Sequence, residues 1–206
     1  MSPVALLVAL GIALVGAELA LRFAAARIAD QYLSRVIGAD VRISLRGPFA
    51  GLRILTGRAE EVDGVASDVP ILEGDALIGH LEVRLLDVEL SLGERRLRAV
   101  HGEFTARIPE RELDALAGVP SAVGSITIED GALKLVTPAG VGVTADVEAE
   151  DGDLVVKPTN PIAELARFRL RFSVGELPAG ATIHSVGVEG GEVVVRGDLD
   201  GSRLTD

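Results

Sequence analysis

The chain has 206 residues, enough to close one apolar core without staples, and it has no cysteine, which excludes disulfides, thiolate metal sites, a thiol nucleophile and a lipidated cysteine. Its 31 acidic residues outnumber 20 basic ones for a net charge of -11, and a surface of that sign excludes binding of a nucleic-acid backbone over the whole molecule. Apolar residues make up 48% of the chain and aromatics only 3%, so the interior has to be aliphatic, chemically similar to an acyl chain.

The first element is an apolar stretch, Val4 to Ala17, with no polar side chain. As a helix its 14 residues span roughly 21 Å, and continuation through Glu18 to Leu21 gives about 27 Å, a marginal crossing of a ~30 Å hydrocarbon layer. It reads as a membrane anchor, or as a signal segment cleaved near the small residues Ala24 to Ala26. The anchor is the expected form, because the stretch merges without a break into a second helical pattern. From Ala20 to Ile37, the residues Leu21, Ala24, Ala25, Ile28, Tyr32 and Val36 recur at three- and four-residue spacing, and Gly38 is suited to end the helix. This predicts one continuous helix with Ile28, Tyr32 and Val36 against a sheet. From Arg22 to Arg58 seven arginines face two acids, a local excess of five positive charges suited to anionic headgroups.

After Gly38 the period changes to two. Val41, Ile43 and Leu45 alternate with Arg42, Ser44 and Arg46, which predicts a half-buried strand. The segment Gly47 to Gly57 loses that alternation and forms a loop or short helix whose apolar tip is able to dip into a membrane. Strand-like sequence resumes from Arg58 to Val69. In the long run Leu77 to Leu92, apolar positions are odd up to Leu85 and even from Leu86, a slip that predicts a β-bulge near Leu85. Leu97 to Ile108 predicts an amphipathic strand with Val100, Phe104, Ala106 and Ile108 on one face. Pro109 then opens a short helix ending at Gly118. In the C-terminal half, Asp130-Gly131, Asp151-Gly152 and Gly190-Gly191 mark three tight hairpins, and Val141 to Ala149 alternates cleanly. The fold class is therefore α+β: a long N-terminal helix packed on a curved antiparallel β-sheet. Residues 1-19 form the apolar signal or anchor segment and residues 20-206 a single domain.

Signatures of nucleophile elbows, zinc proteases, phosphate loops and dinucleotide sites are missing from the sequence. His80, His101 and His184 stand in strand patterns without spaced partners, and Glu150, Asp151 and Asp153 around Gly152 lack the further ligands of a calcium loop. The expectation is a protein that is not an enzyme, without cofactor or metal.

Several segments in this order carry a resemblance: the apolar leader running into a helix, Val41 to Leu45 followed by Gly47-Pro48-Phe49 and Gly57-Arg58, Leu81 to Leu92, and Gly102 to Leu116. They continue with Asp151-Gly152-Asp153-Leu154 through Lys157-Pro158-Thr159, and Leu177-Pro178-Ala179-Gly180 onward to Arg196-Gly197. Over nearly its whole length the chain resembles the LmeA-like family of bacterial envelope phospholipid-binding proteins. The resemblance implies a tubular lipid-binding (TULIP-like) fold, and a protein on the extracytoplasmic side of the cell envelope, anchored by its N-terminal helix or secreted after cleavage. The expected partners are phospholipid acyl chains and the membrane, with no nucleic acid and no identified protein partner. The expected function is to hold acyl chains in an apolar groove, supporting envelope lipid or lipoglycan maintenance or lipid transfer. The alternative is a membrane-anchored structural or interaction protein with a fully packed core, recruiting a partner at a free strand edge. The residues expected to line the groove are Ile28 and Tyr32 from the helix and Val83, Leu86, Val88, Val100, Phe104, Val141 and Val143 from the sheet.

Overall fold

The computed structural model describes residues 3-71, 74-91, 96-116, 124-137, 139-150, 153-159, 170-172 and 181-200. One helix, α1 (Pro3–Ile37), precedes the first strand β1 (Asp40–Arg46), a short helix α2 (Ala50–Leu55), and the long ribbon of β2 (Arg58–Ile71) and β3 (Ala76–Ser91). The chain continues with β4 (Arg96–Arg98), β5 (His101–Pro109), a 3-10 turn (Glu110–Glu112) and α3 (Leu113–Leu116). It then enters β6 (Ser125–Glu129), β7 (Ala132–Val136), β8 (Gly142–Glu150), β9 (Asp153–Pro158), β10 (Leu170–Phe172), β11 (Ala181–Glu189) and β12 (Glu192–Leu199). Two antiparallel sheets result. One has the order β1-β2-β3-β5-β12-β11 with β4 extending beside β3, and the other β10-β9-β8-β7-β6. The fold is α+β, as the alternation and hairpin signals predict, with two unclosed sheets where one curved sheet is expected.

The turn dipeptides fix two of the hairpins. Asp130 and Gly131 have φ of 53° and 77°, and Gly190 and Gly191 have 61° and 83°, the left-handed pair that a tight hairpin requires. The Asp151-Gly152 turn and the segment around Leu177 lie outside the described residues.

The first sheet has one apolar and one charged face. Register places Val41, Ile43 and Leu45 level with Ala66, Gly64 and Val62, then with Leu81, Val83 and Leu85, and then with Ala106, Phe104 and Gly102. Arg42, Ser44, Arg46, Asp63, Glu82 and Arg84 occupy the alternate positions and the opposite face. The phase slip in β3 is real, but its device is not a bulge. Ala59 pairs with Val88 and Glu61 with Leu86, so no residue is inserted relative to β2. Instead Asp87 takes φ of 50°, a left-handed conformation that aspartate tolerates. That single residue turns Val88 back into a buried cluster with Ala59 and Ala99, beside Leu85. The strand expected from Leu97 to Ile108 is likewise interrupted at Ala99 and Val100, opposite Asp87, and Val100 is exposed rather than level with Phe104 on the apolar face.

α1 packs on the first sheet as expected, but not through the apolar stripe that its spacing suggests. Ile28 is 69% and Tyr32 60% exposed. The helix instead runs along the free edge of β1, to which it turns a polar stripe of four-residue spacing. Ser34 Oγ accepts from Val41 N at 2.9 Å, Asp30 Oδ1 accepts from Ile43 N at 2.5 Å, and Arg22 Nε donates to Leu45 O at 2.6 Å. One step further, Glu18 accepts from Gly51 N and Leu52 N at 2.7 and 2.8 Å, capping α2. An edge strand exposes an N–H and a C=O at every second residue, so a helix that covers it needs polar side chains there rather than aliphatic ones. The edge strand β6 of the second sheet is treated the same way: Asp114 accepts from Ile126 N and Glu110 from Ile128 N, at 2.6 and 2.8 Å.

Phe104 on β5 faces Gly197 on β12 across the sheet, and a Cβ at Gly197 would overlap both Thr182 O and the Phe104 ring. Gly197→Ala is therefore expected to lower stability by about 1-3 kcal/mol, because both the β11 backbone at Thr182 and the Phe104 ring have to shift. Thermal unfolding checks this, and an unchanged midpoint would show that strand and ring both give way freely.

Candidate lipid-binding face

The apolar face of the first sheet divides into a closed and an open part. Towards β12, Phe104, Ala106 and Ile108 meet the second sheet and α3, where Leu113, Leu116, Ile126, Leu133, Leu154 and Val156 are all buried. The void left there is about 10 Å³, no larger than one water. Towards β1 the cover is patchy: Val41, Leu45 and Ala66 are buried, whereas Ile43, Val62, Leu81, Val83 and Leu85 among them are only half-buried. At the centre of this strip Gly64 contributes no side chain, and a Cβ placed there would meet nothing closer than Val83 O at 3.9 Å. The strip is aliphatic, shallow and open, with the α1-covered edge along one side.

Of the nine residues expected to line a groove, the structure brings Val83 and Phe104 together as a cross-strand pair. Val83 lies in the open strip and Phe104 is buried at its boundary with the closed part. Val88 is buried in its own small cluster, and Leu86 is half-buried on the charged face, opposite Glu61. Val143 is half-buried on β8 of the second sheet, whereas Val141 precedes that strand and is 59% exposed. Val100, Ile28 and Tyr32 are exposed apolar residues away from the strip. Ile43, Val62, Leu81 and Leu85 were missed, although Leu81 and Leu85 share the parity of Val83 and Ile43 sits inside the clean alternation of β1.

The charged face holds an open depression of about 340 Å³, lined among others by Arg46, Asp63, Glu82, Arg84, Glu103 and Thr105. Its arginines are committed. Arg46 pairs with Asp63, and Arg84 Nε donates to Glu61 at 2.8 Å, a bond that raises the pKa of the Arg84 guanidinium above its usual value. Arg53 pairs with Glu60, and Arg58 Nη2 lies 3.8 Å from Glu89. The positive excess from Arg22 to Arg58 is thus largely neutralised in space by acids of β2 and β3. His80 lies 3.0 Å from Glu82 and His184 3.8 Å from Asp198, both exposed pairs. Among the described residues no group of His, Asp and Glu is arranged to hold a metal ion, and no helix is long and apolar enough to cross a membrane.

Comparison with known families adds a finding that is independent of this geometry. Residues 13-198 match the LmeA-like phospholipid-binding family. The chain belongs to that family. Curated proteins and solved structures gave no match. Membership carries general phospholipid binding, and it is a lipid-binding family rather than a known enzyme family.

Proposed function

We propose that this LmeA-like protein holds phospholipid acyl chains against the open strip of Ile43, Val62, Leu81, Val83 and Leu85. It does so at the extracytoplasmic side of the envelope, tethered by α1, as a carrier or store of envelope lipid rather than as an enzyme. The observation that supports this reading is the half-buried aliphatic strip itself, next to a core packed tightly enough to have closed over it. A C16 chain gains about 12 kcal/mol on leaving water, at ~0.8 kcal/mol per CH₂, but a bilayer already supplies that burial, so a carrier needs only to match it. A shallow aliphatic surface with few polar atoms does so and discriminates little between chains. The free-edge alternative has less support, because two of the four sheet edges are occupied, β1 by the polar stripe of α1 and β6 by Glu110 and Asp114.

Purified full-length chain is expected to carry phospholipid detectable by mass spectrometry and to take up labelled phospholipid from liposomes. Salt should alter uptake only modestly, since the neighbouring arginines are paired and burial dominates. A folded protein that neither carries nor takes up lipid would overturn the carrier reading in favour of an anchored interaction protein.

A further inference from the structure

The end of the molecule where α2 meets α1 is more apolar than a solvated surface requires. Of the eleven large hydrophobic side chains exposed among the described residues, six gather there: Leu14, Val15, Leu19 and Phe23 on α1, and Phe49 and Leu55 at the two ends of α2. Phe23 and Phe49 are two of only five phenylalanines in the chain.

We propose that α2 and the adjoining turns of α1 form a collar that seats in a phospholipid bilayer, with Phe49 and Leu55 entering the boundary between headgroups and acyl chains. The collar rests on the tether proposed above, and adds to it a second contact that fixes how the sheet stands on the membrane. Three observations carry it. The first is rigidity. Glu18 grips the first N–H groups of α2, and the α2 backbone presses so closely on α1 that a Cβ at Gly51 would lie 2.5 Å from Glu18 O and 2.8 Å from Arg22 N. Phe49 and Leu55 are thereby held in a fixed relation to α1. The second is continuity. From the level of α2, α1 runs on towards Pro3 for some 15 residues, roughly 22 Å, through the stretch Val4 to Ala17 that has no polar side chain. The six exposed residues surround the point where that apolar helix leaves the body.

The third is charge. Around the collar Arg22, Arg27, Arg53 and Arg58 stand with Glu18, Glu60 and Glu89, close to neutral in a chain of net charge -11. Glu60 and Glu89 are paired with Arg53 and Arg58, Glu18 is engaged on α2, and Arg22 is bound to Leu45 O. The opposite end of the strands carries Asp68, Asp75, Glu110, Glu112, Glu189 and Glu192, of which Asp68 and Glu189 have Arg111 and Arg196 as partners, and its remaining excess of acid would be repelled by anionic headgroups. An apolar rim whose few charges are largely paired or hydrogen-bonded fits the boundary between headgroups and acyl chains, where an excess of acid would be repelled.

Absence of cysteine makes the test clean, because one introduced thiol is the only one. Full-length F49C, L55C and D75C are each spin-labelled and mixed with vesicles of phosphatidylcholine and phosphatidylglycerol, with circular dichroism confirming the fold. Flotation reports the tether, and accessibility to oxygen against a water-soluble nickel chelate reports depth. The expected result is that the labels at 49 and 55 favour oxygen several-fold over the label at 75. If the protein floats while 49 and 55 are as open to nickel as 75, the collar is wrong and the tether stands. If it does not float, both fall. Labels shielded from both reagents in a protein of doubled mass would assign the face to a second copy and overturn the proposal.

Discussion

Val83→Trp is expected to remove most of the phospholipid that the protein carries or takes up, while the fold remains standing. Val83 is at the centre of the open strip, level with Gly64 on one neighbouring strand and Phe104 on the other. The space over Gly64 is what an acyl chain lying across the strands would use, and it is open to within 3.9 Å. An indole at position 83 fills it. Because Val83 is only half-buried, the larger ring extends outward instead of into the packed core, and overpacking should cost no more than about 1-3 kcal/mol. Val88→Trp is the matched control. Its side chain is sealed between Ala59 and Ala99, so the same substitution there should destabilise the protein without selectively displacing lipid. Lipid measured by mass spectrometry and stability by denaturant titration separate the two effects. A Val83→Trp protein that binds phospholipid as the parent does would place the ligand elsewhere, with the exposed face of α1 around Ile28 and Tyr32 the next surface to test.

The strands were legible because one face of each is buried and the other charged, which writes a period of two into residues such as Val41 to Arg46. The hairpins were legible because left-handed pairs of residues demand Asp-Gly or Gly-Gly. Helix α1 was legible as a helix but not in its orientation. Periodicity detects an apolar stripe seeking an apolar partner, whereas α1 uses Glu18, Arg22, Asp30 and Ser34 to cover a strand edge, and leaves Ile28 and Tyr32 outward. Read by hydropathy alone, Glu18 is a flaw in an apolar segment. In the structure it is the cap of α2. The candidate face was half legible for a related reason. Leu85 and Val88 lie on the same side of β3 through one left-handed residue, Asp87, and no pattern of hydropathy distinguishes that from an inserted residue. Burial then decides between them: Val88 is sealed and Leu85 is not, a difference set by Ala59 and Ala99, which lie far apart in sequence.

The polar stripe of α1 leads to the second large effect. Arg22→Ala combined with Asp30→Ala is expected to lower stability by about 2-4 kcal/mol, since hydrogen bonds to charged groups contribute roughly 1.5-3 kcal/mol each and both sites are half-buried but within reach of water. The loss leaves Ile43 N–H and Leu45 C=O without their partners on α1, on the same edge of the same strand. A strand edge freed in this way is a template for pairing with another chain, so the variant should also associate with rising concentration. Asp30→Asn keeps an acceptor for Ile43 N–H and should remain close to the parent in both respects, which separates a lost hydrogen bond from a lost charge. Denaturant titration measures the first effect and sedimentation velocity the second. If the double variant keeps the parental denaturation midpoint and associates no more than the parent, the polar stripe does not seat α1, and the half-buried Ala25, Ala26, Ala29 and Leu33 hold it through apolar contact alone.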